Sequence, residues 1–155
     1  ANNTTLESLS LRNNRLIAAK VMTNFFTSNQ SVTCLDLSHN DLVSEGETVA
    51  DTWASLLASD QMLVRFGVPW LECACAGAFI DALSANTKIK SLEFSSPIAC
   101  VKELDLFFRS NQTVEEILNL EGPPKGLFSV HSGILSHCSL TYLHWVNVDE
   151  LELKR

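Results

Sequence analysis

One short phrase recurs along this chain, and its spacing decides what the chain can fold into. It reads Asn3-Thr4-Thr5-Leu6, Asn29-Gln30-Ser31-Val32, Asp60-Gln61-Met62-Leu63, Asn86-Thr87-Lys88-Ile89, Asn111-Gln112-Thr113-Val114 and His137-Cys138-Ser139-Leu140. Each copy is a polar turn residue followed three positions later by an apolar one. The apolar residues fall at 6, 32, 63, 89, 114 and 140, so the intervals are 26, 31, 26, 25 and 26. A fixed period of this length is the mark of a stacked-repeat architecture.

A strand pattern follows each phrase. Leu6-x-x-Leu9-x-Leu11 is matched by Val32-x-x-Leu35-x-Leu37, Leu63-x-x-Phe66-x-Val68, Ile89-x-x-Leu92-x-Phe94 and Leu140-x-x-Leu143-x-Trp145. The fifth copy departs. Val114 and Ile117 keep register, but Asn119 holds the third apolar slot, flanked by Leu118 and Leu120. A one-residue slip or bulge is expected there, because side chains alternate across a strand and an uncorrected slip would turn the core residues outward. Between the strands lie helical stripes: Ile17, Val21 and Phe25, then Val49, Trp53, Leu56 and Leu57. Ala76, Phe79, Ile80 and Leu83 form a third, and Val101, Leu104, Phe107 and Phe108 a fourth. The fifth connection, 122–136, carries Pro123, Pro124, Gly126 and Gly133, and its helical pattern is weak.

A strand, a helix and a polar turn in about 26 residues make one αβ unit. Such a unit cannot bury its apolar face alone, but stacked copies share a continuous core. The first two copies extend to Asn14 and Leu16, and to Asn40 and Leu42, giving Leu-x-x-Leu-x-Leu-x-x-Asn-x-Leu. That phrase resembles the strand half of a leucine-rich repeat. The repeat length and helical return segments resemble the ribonuclease-inhibitor-like class. The resemblance implies an α/β horseshoe of about six strand–helix repeats, with a parallel concave sheet and convex helices. Residues 1–155 form a single such domain, or part of a longer solenoid. The Asn-Thr-Thr-Leu turns are also similar to those of tropomodulin's actin-binding end, with no actin-specific motif to carry over.

Composition narrows the function. Lys+Arg is 11 and Asp+Glu is 18, a formal charge of −7. That balance disfavours nucleic acid and anionic membranes, which need a basic face. No apolar run reaches the length of a membrane span. The five cysteines, Cys34, Cys73, Cys75, Cys100 and Cys138, are odd in number and irregular in spacing, so reduced thiols and an intracellular, cytoplasmic setting are expected. Cys73-x-Cys75 is too close and too solitary for a zinc site. The repeated Asn residues are expected to satisfy backbone groups where a helix gives way to a strand. The sequons at Asn2, Asn3, Asn29 and Asn111 are a by-product of those turns and are expected to be unused.

No phosphate loop, zinc-protease helix or nucleophile elbow is present. Asp36, Ser38 and His39 invite a triad reading, but alternation puts Asp36 and Ser38 on one face and His39 elsewhere, whereas a triad needs the imidazole between the other two. No enzyme activity and no cofactor or metal is expected. The informative residues are those between the buried strand positions. Arg12, Asp36, Ser38, Arg65, Trp70, Glu93, Glu116, Tyr142 and His144 are expected to form a partner-binding set on the concave face. Trp70, Tyr142, Arg12 and Arg65 are the expected anchors, since Trp, Tyr and Arg dominate binding hot spots. Six strands ~4.8 Å apart give a face about 24 Å wide, suited to another protein rather than to a small molecule. The expected function is a non-catalytic protein–protein interaction module, monomeric, or self-associating through its ends if it belongs to a longer solenoid. The alternatives are a regulator of a GTPase or other enzyme acting through repeat loops, and a glycosylated extracellular recognition domain.

Overall fold

Each leucine phrase folds into a short strand that stacks on the one before it. The structure, a computed structural model, describes residues 3–14, 28–40, 55, 57, 62–69, 73–94, 101–121, 133, 134, 136, 139–146 and 151–154. Strands β1 (Ser8–Ser10), β2 (Cys34–Asp36), β3 (Arg65–Val68), β4 (Ser91–Phe94), β5 (Glu116–Glu121) and β6 (Tyr142–Val146) pair in sequence order, each parallel to the next. Parallel pairing of neighbours demands a crossover between them. Helices α1 (Cys73–Ala85) and α2 (Val101–Ser110) supply two such crossovers and pack on each other. Residues 133, 134 and 136 in the fifth connection are helical as well.

The register places like residues on like rungs. Leu9, Leu35, Phe66, Leu92, Ile117 and Leu143 align across the six strands. Leu35, Phe66, Leu92 and Ile117 are wholly buried, while Leu9, on the edge strand, is only partly covered. From behind, α1 contributes Phe79, Ile80 and Leu83, and α2 contributes Leu104, Phe107 and Phe108, all buried. The Phe66 and Phe79 ring centroids lie 6.2 Å apart, which ties strand to helix. Phe79 and Phe108 therefore lie in the core as the helical periodicity predicts. Phe25 and Trp53 lie outside the described residues.

The turns explain the recurring asparagine. Oδ1 of Asn3, Asn29, Asn86 and Asn111 accepts the backbone N–H three residues on, at 2.7–2.9 Å, and also the N–H two residues on. The amide of Asn111 donates to Leu83 O and Asn86 O, and that of Asn86 to Leu57 O. One side chain thus caps its own turn and ties it to the preceding repeat. Asn40 plays a related part at the other end of β2, donating to Leu11 O and Leu37 O.

Two features depart from a uniform parallel stack. In β5 the register to β6 advances from Ile117↔Leu143 to Leu120↔Trp145, so β5 carries one extra residue. Asn119 has φ 55°, a left-handed backbone that asparagine tolerates. The bulge returns Leu120 to full burial. Beyond β6 the chain forms β7 (Leu151–Lys154), which pairs antiparallel with β6 from Tyr142↔Lys154 to Trp145↔Leu151. The repeat pattern predicts six parallel strands and stops there. The seventh strand runs the other way because only a short connection separates it from β6, too short for a parallel crossover.

Candidate functional site

With the Leu35–Leu143 rungs turned inward, alternation leaves two polar rows on the opposite, concave face. In the first, Ser8, Cys34, Arg65, Ser91, Glu116 and Tyr142 stand side by side. In the second, Ser10, Asp36, Gly67, Glu93 and Leu118 do the same. Cys34 is a half-buried free thiol.

Polar contacts run across the second row. Ser10 Oγ donates to Asp36 Oδ2 at 3.3 Å. Arg12, in the turn after β1, lies 3.0 Å from Glu93 Oε1, 2.9 Å from His39 Nε2 and 4.0 Å from Asp36 Oδ2. Glu93 Oε1 also accepts from Asn119 Nδ2 at 3.2 Å, and Asn119 Oδ1 lies 3.1 Å from His144 Nδ1. The chain of contacts therefore reaches from the β1 turn to β6. Arg12 must cross β2 and β3 to meet Glu93, and Gly67 leaves the space. A Cβ at Gly67 would collide with the Asp36 carboxylate and lie 2.8 Å from Ser38 Oγ. In the first row Arg65 reaches over β4 toward Glu116, with 3.9 Å between the charged atoms. Ser91, directly between them, is 5% exposed, and its Oγ is the one buried side-chain polar atom without a hydrogen-bond partner among the described residues.

Most of the residues expected on this face are found there. Asp36, Arg65, Glu93, Glu116, Tyr142 and His144 occupy the concave strands, and Arg12 stands in the turn just past β1 rather than within it. Ser38 is a correction. It is wholly buried, because β2 ends at Asp36 and the chain turns over at His39, whose φ is 56°. Its backbone N–H and Oγ both bond to Asp36 Oδ1, so it supports Asp36 and cannot meet a partner. Trp70 lies outside the described residues. Asp36 and Ser38 touch with no imidazole between them, and the His39 ring is turned to Arg12. That is not the order a triad requires. Sequence reasoning left out Asn119 and His39, which complete the second-row contacts. Asn119 carried a signal, a polar residue in an apolar slot beside a bulge. His39 carried none.

The family model for the Leucine Rich repeat matches residues 2–20 and 28–46. Among solved structures, the leiomodin-1 "Actin-Binding Site 2" structure superimposes with a TM-score of 0.61 and 14% identity, over 84% of this chain and 80% of that one. The tropomodulin C-terminal domain from Caenorhabditis elegans does so with a TM-score of 0.60 and 7% identity, over 88% and 86%. No curated protein sequence matches. The repeat matches, the parallel sheet and the helical crossovers together define the class. The fold is that of an α/β leucine-rich repeat solenoid. Among the described residues no helix is long and apolar enough to cross a membrane.

Proposed function

We propose that this protein is a non-catalytic interaction module that holds another protein against its concave face. The observation that carries the reading is the pair of polar rows on β1–β6, braced from behind by a ladder that is buried from β2 onward and laced sideways from Arg12 to His144. A braced surface loses little conformational freedom on binding, which favours association. Arg12, Asp36, Arg65, Glu93, Glu116, Tyr142 and His144 are the contact residues, with Trp70 proposed beside them from its sequence position. The fold alone does not identify the partner. The leiomodin-1 structure, named for an actin-binding site, supplies one probe, actin.

Affinity capture from native extract, followed by co-sedimentation with filamentous actin, tests the reading. Glu93→Lys and Tyr142→Ala on the concave face should each weaken the captured partner, Glu93→Lys chiefly through a slower, more salt-dependent association. Arg109→Glu, on the exposed outer face of α2 where Arg109 pairs with Asp105, should leave binding intact. The reverse result would move the interface to the helices. Stimulation of GTP hydrolysis by a captured GTPase, lost on changing one arginine, would promote the enzyme-regulator alternative.

A further inference from the structure

We propose that the centre of the concave face, around Ser91, is a receptor for a single lysine side chain of the partner protein. The proposal rests on the concave-face reading and adds the chemistry of its central contact. Three acceptors stand on two neighbouring strands. Ser91 and Glu93 are two residues apart on one face of β4, and Glu116 stands beside Ser91 on β5. Ser91 Oγ has no partner among the described residues. Glu93 uses only Oε1, leaving Oε2 open among the described residues, and Glu116 uses only Oε2, leaving Oε1 open. An ammonium group offers three donors and no acceptor, which matches this set.

Burying a hydroxyl with no partner is unfavourable, and nothing among the described residues compensates Ser91. What covers it is loose. Arg65 and Glu116 meet at only 3.9 Å, with side chains 58% and 45% exposed, so the pair is easily opened. Opening it would release the already exposed Glu116 carboxylate beside the Ser91 hydroxyl. The charge favours a cation: Asp36, Glu93 and Glu116 outnumber Arg12 and Arg65 on the face, and the whole chain carries −7. A divalent metal ion is disfavoured because no group of three His, Cys, Asp or Glu side chains that could hold one occurs among the described residues. Arg65 thus holds the place that the partner's lysine takes.

The test is a nuclear magnetic resonance titration of the labelled chain with an acetyl-Gly-Lys-Gly-amide peptide, and with the same peptide carrying norleucine for lysine. Saturable shifts at Ser91, Glu93 and Glu116 are expected with lysine alone. Arg65→Gln should tighten the lysine peptide, and Ser91→Ala should weaken it, each by about fivefold, the scale of one hydrogen bond. Ser91→Ala should also leave the unfolding midpoint unchanged or raise it, since the orphaned hydroxyl is gone; a merely structural serine would lower it. Equal shifts with norleucine, binding to Arg65→Gln no tighter than to the natural chain, or calcium ions reproducing the shifts at lower concentration than the peptide would each overturn the proposal. If the lysine peptide fails while Glu93→Lys still abolishes capture of the partner, the concave-face reading stands and only this inference falls.

Discussion

At the scale of single residues, asparagine is asked for two different things. Asn111 is 2% exposed, and its side-chain bonds link its own turn to two carbonyls of the preceding repeat. Asn111→Ala should cost about 2–3 kcal/mol in chemical denaturation, because it leaves buried backbone groups unpaired. The same geometry shields the amide from glycosylation in the folded state, so peptide mass spectrometry of folded protein should find residue 111 unmodified. Asn119 is used for its backbone instead. Asn119→Val should cost about 1–2 kcal/mol, since a β-branched residue resists the left-handed conformation. Asn119→Gly should fold nearly as well while losing the contacts to Glu93 and His144. Equal stability of the valine and glycine variants would show that the bulge does not need φ 55° at this position.

At the scale of elements, two glycines that look alike in the sequence should respond in opposite directions. Gly77 lies inside α1 with no described residue within 4 Å of the place an added methyl group would occupy, so Gly77→Ala should stabilise by about 0.5–1 kcal/mol through helix propensity alone. Gly133 lies against α2. A Cβ there would sit 2.7 Å from Asp105 Oδ1, 2.9 Å from Asp105 O and 2.9 Å from Phe108 Cβ, and its N–H donates to Asp105 Oδ1. The carboxylate could swing aside, but the carbonyl and the buried phenylalanine cannot. Crowding should therefore outweigh propensity, and Gly133→Ala should destabilise by about 1–3 kcal/mol. Thermal or urea melts of the two variants check both signs.

At the scale of the whole molecule, each repeat of a solenoid touches chiefly the repeats beside it. Leu35 on β2 and Ile117 on β5 are both wholly buried and stand three strands apart. Leu35→Ala should cost about 2–5 kcal/mol. The double variant Leu35→Ala/Ile117→Ala should equal the sum of the singles within about 0.5 kcal/mol, because two strands separate the sites. A large coupling in equilibrium unfolding would mean that the core behaves as one packed body rather than as a stack.

The sequence by itself determined the architecture, because its signal is local and repeated. The Leu-x-x-Leu-x-Leu spacing specifies a strand and its buried side, the helical stripes specify the crossovers, and the period specifies that neighbouring strands pair in order. It also placed Asp36, Arg65, Glu93, Glu116 and Tyr142 on the concave side of the sheet by alternation, and Asn119 showed that β5 would deviate. Tertiary structure decided what depends on groups far apart in the chain. Arg12 meets Glu93 across 81 residues only because Gly67 leaves the space between them. Ser38 is buried because β2 ends two residues before it, and strand ends are set by pairing as much as by pattern. Ser91 lies between Arg65 and Glu116, which extend toward each other from the strands on either side of β4. The antiparallel turn of β7 onto β6 has no counterpart in the repeat. A period can say which residues face the same way; which of them touch depends on side-chain reach and on the space their neighbours leave.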